Sequence, residues 1–218
     1  MYMKSVLVIG MGRFGRHLAQ QMQLLGNAVM VVDKSGEQIE PYAQAFTDAQ
    51  IGDCTKETVV QALGVENFDV CFVTIGEDFQ SSLVITSHLK AAGAKHIVAK
   101  ANQSIQADLL YKIGADEVVY PEREMAEKVA VRYNAKNIFD YIPLTAEYSI
   151  YEIPILPAWV GHTIMELNVR RKYRINIVAV KSDNALAPIP GPDYTFMEGD
   201  HIVVIGKAED VFKLSGKV

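Results

Sequence analysis

Residues Lys4-Ser5-Val6-Leu7-Val8-Ile9, then Gly10-Met11-Gly12-Arg13-Phe14-Gly15, then Val29-Met30-Val31-Val32-Asp33 form the stretch whose reading decides the fold. The first piece is an unbroken apolar run, the pattern of a strand buried on both faces of a parallel sheet. The second is G-x-G-x-x-G. From Arg16 the apolar positions Leu18, Ala19, Met22 and Leu25 recur at helical spacing, and Gly26-Asn27 supplies a stop. The third piece is a second buried strand that ends in an acid. Strand, glycine loop, helix, strand and terminal acid in register make a βαβ unit with a dinucleotide-type fingerprint.

Each part has a physical task. Gly10 lets the chain turn out of the strand, Gly12 leaves no side chain between backbone and a phosphate, and Gly15 lets helix and strand pack closely. The helix then aims its free N–H groups and the positive end of its dipole at the phosphates. Asp33 stands where a carboxylate accepts hydrogen bonds from a ribose 2′-hydroxyl. The alternative is a plain glycine turn followed by an exposed Asp. The fingerprint leaves NAD, NADP and an adenine mononucleotide open, although Asp33 repels a 2′-phosphate and so disfavours NADP. Arg13 lies inside the loop, where a guanidinium suits an extra, highly charged phosphate. Its alternative is a solvated first-turn side chain.

Outward from this unit the alternation continues. Residues 37–45 read as a short helix, 46–51 as a weak strand ending at Gly52-Asp53, and 55–63 as a helix capped by Thr55. Residues 69–75 are a strongly buried strand, 78–92 a helix closed by Gly93, 96–100 a strand, 104–113 a helix closed by Gly114, and 117–120 a sixth strand stopped by Pro121. Six strands alternating with helices give an α/β fold, a Rossmann-like doubly wound parallel sheet over residues 1–121. The run 122–134 is a further helix with no place left in that sheet. Its Met125, Val129 and Ala130 share one face, which must be buried somewhere. Residues 122–144 are therefore expected to be an exit helix and hinge at a subunit interface. A small α+β domain follows over 145–218: a half-buried strand at 148–154, a short helix at 164–167, a strand at 175–181, a Pro-rich loop at 182–197, a turn at 198–200, a strand at 201–205 and a helical turn at 209–214. Trp159 reads as its packing anchor.

In an open α/β sheet, ligands bind at the carboxyl ends of the strands. Asp53, Gly76, Glu77 and Lys100 each follow a strand there. Asp53 either bonds an adenine amine or caps its helix. Gly76 either brings backbone close to the ligand or merely turns the chain. Lys100 is a solvated charge or, beside Arg13, the second half of a phosphate clamp. Lys34, Cys54 and Ile75 adjoin these positions and belong to the same expected nucleotide-binding set. Glu122 and Glu124 either favour a helix N-terminus or share a cation with a triphosphate.

The composition narrows the function class. Lysine and arginine number 21 against 26 acids, a net charge of −5. With no Lys/Arg cluster to track a phosphate backbone, the reading is against nucleic acid. No apolar run approaches the roughly 20 residues that span a bilayer, and the early first strand leaves no room for a signal peptide. Cys54 and Cys71 have no metal or redox spacing, which points to the cytosol. The histidines His17, His88, His96, His162 and His201 are scattered, and no nucleophile set or paired acid and base appears, so no enzyme is expected.

The glycine loop with Arg13 and Phe14, the Asp33 strand end, Ile113-Gly114-Ala115-Asp116 followed by Pro121-Glu122, and Leu167-Asn168-Val169-Arg170-Arg171-Lys172-Tyr173 in the small domain carry a family likeness. The chain resembles the regulator of potassium conductance (RCK) proteins of bacterial Ktr/Trk potassium uptake systems over nearly its whole length. The resemblance implies a cytosolic gating ring, octameric and built from homodimers, docked on a membrane potassium pore subunit (KtrB/TrkH-like). It implies ATP as activator and ADP as the ligand of the inactive state, with Asp33 on the ribose and Gly10, Met11, Gly12, Phe14 and Gly15 in the nucleotide-binding set. Arg13 then reaches the terminal phosphate in the neighbouring subunit's site, and Glu122 places Mg²⁺ or Ca²⁺ near the dimer interface. In some relatives the C-terminal domain binds cyclic di-AMP; the matching positions here are Ile164, Met165, Arg170, Asn176, Ile177 and Pro190. This region departs from the commoner pattern at Met165 and Arg174, where glycine is frequent. Two rivals remain: an NAD-linked oxidoreductase, against which stands the lack of a substrate domain and proton donor, and an NAD(H)-sensing RCK protein, usually with two such units per chain.

Overall fold

The computed structural model describes residues 3–134, 138–182 and 185–216. Residues 135–137 of the expected hinge and 183–184 of the expected loop lie outside the described residues. The chain divides into two compact units, Met1–Arg123 and Glu124–Val218.

The first unit alternates β1 (Ser5–Ile9), α1 (Arg13–Leu24), β2 (Ala28–Asp33), α2 (Gly36–Ile39), β3 (Asp48–Ile51), α3 (Glu57–Ala62), β4 (Val70–Val73), α4 (Phe79–Ala91), β5 (Ile97–Lys100), α5 (Ser104–Ile113) and β6 (Glu117–Val119). All six strands are parallel, in the order β3-β2-β1-β4-β5-β6. The apolar runs explain the two-sided burial. Leu7 and Ile9 of β1, with Met30 and Val32 of β2, enter one core with Ile85 and Leu89 of α4 and Leu110 of α5. The alternate residues Val6, Val8, Val29 and Val31 enter a second core with Ala19 and Met22 of α1. A period of two thus feeds two helix layers, as a doubly wound sheet requires. The strand order reverses between β1 and β4, and a crevice opens above their carboxyl ends.

Several expectations shift at element ends. The helix after β2 is short, because Pro41 has no N–H to continue it, and the chain tightens into a 3₁₀ turn at Glu40–Tyr42. Thr55 does not cap α3, which starts from Lys56 with no side-chain cap. α1 starts at Arg13 rather than Arg16, with Gly12 as its N-cap. Pro121 opens the next helix rather than merely ending β6, a position that proline suits because its missing N–H has no helical partner there.

Helix α6 (Pro121–Asn134) leads into the second unit. There follow β7 (Asp140–Pro143), β8 (Tyr148–Pro154), α7 (Ile164–Leu167), α8 (Val169–Tyr173), β9 (Asn176–Ser182), β10 (Ala185–Pro188), β11 (His201–Lys207) and α9 (Ala208–Ser215). The strands make an antiparallel sheet in the order β10-β9-β11-β8-β7. β8 and β11 alternate buried and half-buried residues, the pattern of a sheet with one face on the core. The edge strands β7 and β10 are largely exposed. They carry no such alternation, and β7 occupies part of the stretch expected as a hinge. Trp159 is buried between Tyr173 and Phe196, with ring centroids 5.3 and 5.6 Å away. Arg174 ends α8 in the left-handed region at φ +58°. Glycine enters that region freely, whereas a residue with a side chain is strained there.

Candidate functional site

β1 ends at Ile9, and the chain leaves it through Gly10 at φ +100°, a conformation strained for any residue with a side chain. The Gly10 N–H donates to the Val32 carbonyl at 2.8 Å, which ties the turn to β2. Thr74, just past β4, braces it from the other side: its hydroxyl donates to the Gly10 carbonyl at 2.6 Å. The first turn of α1 packs directly on this turn. A Cβ at Gly15 would lie 2.0 Å from the Gly10 carbonyl oxygen and 2.6 Å from Thr74 Oγ1. A Cβ at Gly12 would meet nothing within 4 Å, so the loop is open on the side that faces the crevice.

Asp33 closes β2 and is already oriented. Its Oδ2 accepts from the Met11 N–H at 2.7 Å and its Oδ1 from the Ser35 N–H at 2.8 Å. A carboxylate has about four acceptor positions, so capacity is left for a sugar hydroxyl. The crevice is a cleft of about 490 Å³. It gathers Gly10, Gly12, Arg13, Phe14, Asp33, Lys34, Asp53, Cys54, Ile75, Gly76, Lys100 and Glu122 from the carboxyl ends of β1, β2, β3, β4 and β5 and the start of α6. Met11 and Gly15 stand behind the loop: the Met11 side chain is buried in the core beneath it, and Gly15 forms the helix contact.

The polar groups around the cleft are paired in ways that set their charge. Asp53 Oδ1 accepts from the Thr55 hydroxyl at 2.6 Å and the Thr55 N–H at 3.1 Å. These bonds, the hydroxyl first, hold its carboxyl below the usual range. Asp53 thus organises the turn after β3 at the lining of the cleft. Burial, with Asp53 and Asp33 adding, pushes the Cys54 thiol up to about 12, so it is a neutral lining group. At the other end Lys100 Nζ donates to Glu122 Oε1 at 2.5 Å. This bond holds the Glu122 carboxyl below its usual value, and the Arg13 guanidinium adds to the effect. Asn102 Nδ2 donates to the Gly76 carbonyl at 2.8 Å, fixing the backbone beside Lys100.

Three participants escape a reading by motif. Thr74 is a polar residue at the end of an otherwise apolar run, a signal that was legible. Asn102 and Arg16, the latter 3.4 Å from the Tyr42 hydroxyl, carry none. Among the described residues, no group of three or more His, Cys, Asp or Glu is placed to hold a metal ion. A Mg²⁺ ion held by one carboxylate, phosphates and water does not need one.

In the second unit, Ile164 and Met165 lie on α7, Arg170 on α8, Asn176 and Ile177 at the start of β9, and Pro190 just after β10. The Met165 N–H donates to the Pro192 carbonyl at 2.9 Å and the Ile164 N–H to the Tyr194 carbonyl at 3.1 Å. Helix α7 and the Pro190 loop are thereby held together, with Met165 and Arg170 exposed.

The chain matches two family models, the TrkA-N domain over residues 6–121 and the TrkA-C domain over residues 149–216. It is 37% identical over 215 residues to Ktr system potassium uptake protein C of Bacillus subtilis, covering 99% of this chain and 97% of that protein. It is 35% identical over 208 residues to Ktr system potassium uptake protein A of the same organism, covering 95% and 94%. Among solved structures, the GsuK channel bound to NAD superposes with a TM-score of 0.68 at 18% identity, covering 99% of this chain and 40% of that one.

Proposed function

Because the chain belongs to the TrkA-N/TrkA-C family that contains the Ktr system potassium uptake proteins, we propose that it is a cytoplasmic regulatory subunit of a potassium-conducting membrane partner, switched by ATP and ADP. The observation that carries the nucleotide reading is the cleft itself. An open glycine loop backed by Gly15, a sugar-binding carboxylate pre-set by two backbone N–H groups, and the cations Arg13 and Lys100 converge on one crevice at the strand reversal. The crevice ends at the charged pair Lys100–Glu122. That end suits a terminal phosphate and its counter-ion better than a nicotinamide ring.

In this reading Asp33 holds the ribose, the N–H groups at the start of α1 meet the phosphates, and Arg13 distinguishes the triphosphate. Glu122, whose side chain is 68% exposed at the cleft, supplies one carboxylate oxygen to Mg²⁺ or Ca²⁺ with ATP. Cyclic di-AMP is assigned to the surface that joins α7, the start of β9 and the Pro190 loop.

The assembly is a homo-oligomeric ring of dimers, with residues 122–144 as exit helix and hinge between a nucleotide domain at 1–121 and a C-terminal domain at 145–218. Met125, Val129 and Tyr133, spaced i, i+4, i+8 on α6, are 59%, 47% and 79% exposed, an apolar stripe suited to a second copy of the chain. ATP and ADP then favour different ring shapes. A hundredfold preference for one shape is worth about 2.7 kcal/mol per site, and a ring sums this over its sites.

Calorimetric titration of the full chain with ATP, ADP, NAD and NADH tests the proposal. ATP and ADP should bind at least tenfold more tightly than either dinucleotide. Tight NADH binding with no ATP binding refutes it and favours the NAD(H)-sensing alternative. The oxidoreductase reading has no support in the relatives, which are named as potassium uptake proteins.

A further inference from the structure

Among the described residues, three other than glycine enter the left-handed region: Asn168, Arg174 and Ile189. Asn168 and Arg174 stand at helix ends, where such backbone is ordinary. Ile189 does not. At φ +53° a β-branched side chain is an outlier. Pro190 adds to the cost, because a proline favours extended backbone at the residue before it. The side chain gains no burial in return. It is 88% exposed, more than any other large apolar residue described.

The loop cannot relax, because it is fixed on both sides of Ile189. Before it, Pro188 pairs with Ala179 in the β9–β10 register, and the Ile189 N–H donates to the Val178 carbonyl at 2.9 Å. After it, the Tyr194 N–H closes a turn on the Gly191 carbonyl at 3.0 Å, and the Pro192 and Tyr194 carbonyls hold Met165 and Ile164 of α7. The Tyr194 hydroxyl donates to Asp200 Oδ2 at 2.9 Å, an oxygen that also accepts from the Met197 N–H, and Asp200 is buried. Backbone strain persists where the surroundings over-determine it, and it gathers at ligand-binding positions. Here the pins hold an apolar side chain out in water, next to the Ile177–Val178 stretch of β9.

We infer that Ile189 is a ligand-contacting residue of the surface assigned above to cyclic di-AMP: the strained loop presents its side chain as an apolar wall for one purine face. The inference rests on that assignment and deepens it with a residue that no motif marks. A purine face is flat and largely apolar, and it supplies the burial that the folded chain withholds from Ile189. This role carries a signature that a packing role does not. Replacing a residue that supports the fold lowers stability. Replacing Ile189 with a residue suited to the left-handed region should raise stability and lower affinity together.

The test is thermal unfolding of the ligand-free full chain and calorimetric titration with cyclic di-AMP, for the wild type, Ile189→Asn and Ile189→Leu. Asparagine tolerates the left-handed region, so Ile189→Asn should raise the melting temperature of the C-terminal domain by about 2–6 °C. It should weaken cyclic di-AMP about tenfold, the scale of an apolar side chain partly buried on binding. Leucine stays apolar without a branch at Cβ, so Ile189→Leu should keep the affinity within about threefold and should not melt lower. ATP and ADP titrations should match the wild type in both variants, because the nucleotide cleft is built from the other unit. An Ile189→Asn protein that binds cyclic di-AMP like the wild type, or that melts below it, overturns the inference while the dinucleotide site stands. A loss of mass by light scattering in Ile189→Asn assigns the side chain to a subunit contact and overturns it as well. A wild type with no affinity for cyclic di-AMP overturns both the inference and the assignment of the surface.

Discussion

The two loop glycines that face opposite ways should fail in opposite ways. At Gly15 an added methyl meets fixed atoms: the Gly10 carbonyl oxygen at 2.0 Å and Thr74 Oγ1 at 2.6 Å. Neither can swing aside, because Gly10 is tied to Val32 and the Thr74 hydroxyl is bonded to the Gly10 carbonyl. Helix α1 must therefore move off β1. Overpacking of this kind costs about 1–3 kcal/mol, and losing the Thr74–Gly10 bond adds about 1 kcal/mol. Gly15→Ala should thus destabilise by about 2–4 kcal/mol, a fall of roughly 5–15 °C in the first thermal transition. Gly12 sits at φ −64°, ψ −175°, which any residue adopts, with nothing within 4 Å of a Cβ. Gly12→Ala should leave that transition within about 2 °C, because a small loss at the N-cap offsets a small gain in chain entropy. It should weaken ADP binding at least tenfold, because the new methyl occupies the face on which phosphates dock. Thermal unfolding of the ligand-free proteins, followed by calorimetric titration with ADP, separates the two. Equal melting losses in both variants, or a Gly15→Ala protein that melts like the wild type, would refute the division of labour.

Arg13→Ala should weaken ATP by about tenfold or more and ADP far less, the scale of one charged hydrogen bond to phosphate; equal losses would assign Arg13 to the fold. Asp69 is held below the usual carboxylate range first by the Ser5 N–H at 2.8 Å and then by the Ser5 hydroxyl. Its folded value is depressed, so its stabilisation is present above the ordinary value near 3.9 and is lost as pH falls through the lower folded value. Melting temperature plotted against pH should therefore decline less steeply below about pH 4 in Asp69→Asn than in the wild type, and parallel curves would contradict the assignment. Val129→Asp, on the exposed stripe of α6, should reduce the mass seen by light scattering, and an unchanged mass would move the interface elsewhere. Small-angle scattering profiles that are identical with ATP and with ADP would refute a nucleotide-driven change of shape.

The βαβ unit was legible in the sequence because everything that makes it is local. Four successive apolar residues, Val6 to Ile9, bounded by the glycine loop, suit a strand buried on both faces, and their alternation between two cores follows from the period of the pleat. Gly10 marks the turn out of β1 because its φ of +100° is strained for any residue with a side chain. The same logic explains what local reading passed over. The edge strand β10 is exposed throughout and β7 half-buries Tyr141 alone, so no alternation announces them. The early end of α2 at Pro41 and the bond from Thr55 to Asp53 are contests between neighbouring residues that share one sequence pattern.

The cleft's chemistry was decided at greater range. Residue types at strand ends named Asp33, Arg13, Lys100 and Glu122 as candidates, since the carboxyl ends of a parallel sheet all face one crevice. Only the order β1-β4-β5-β6 brings Thr74 under the Gly10 carbonyl across 64 residues and seats Lys100 against Glu122 across 22. Spacing along a chain sets which faces residues share within one element. Which charges meet is set by which strands are neighbours, and that choice belongs to the packing of the whole sheet.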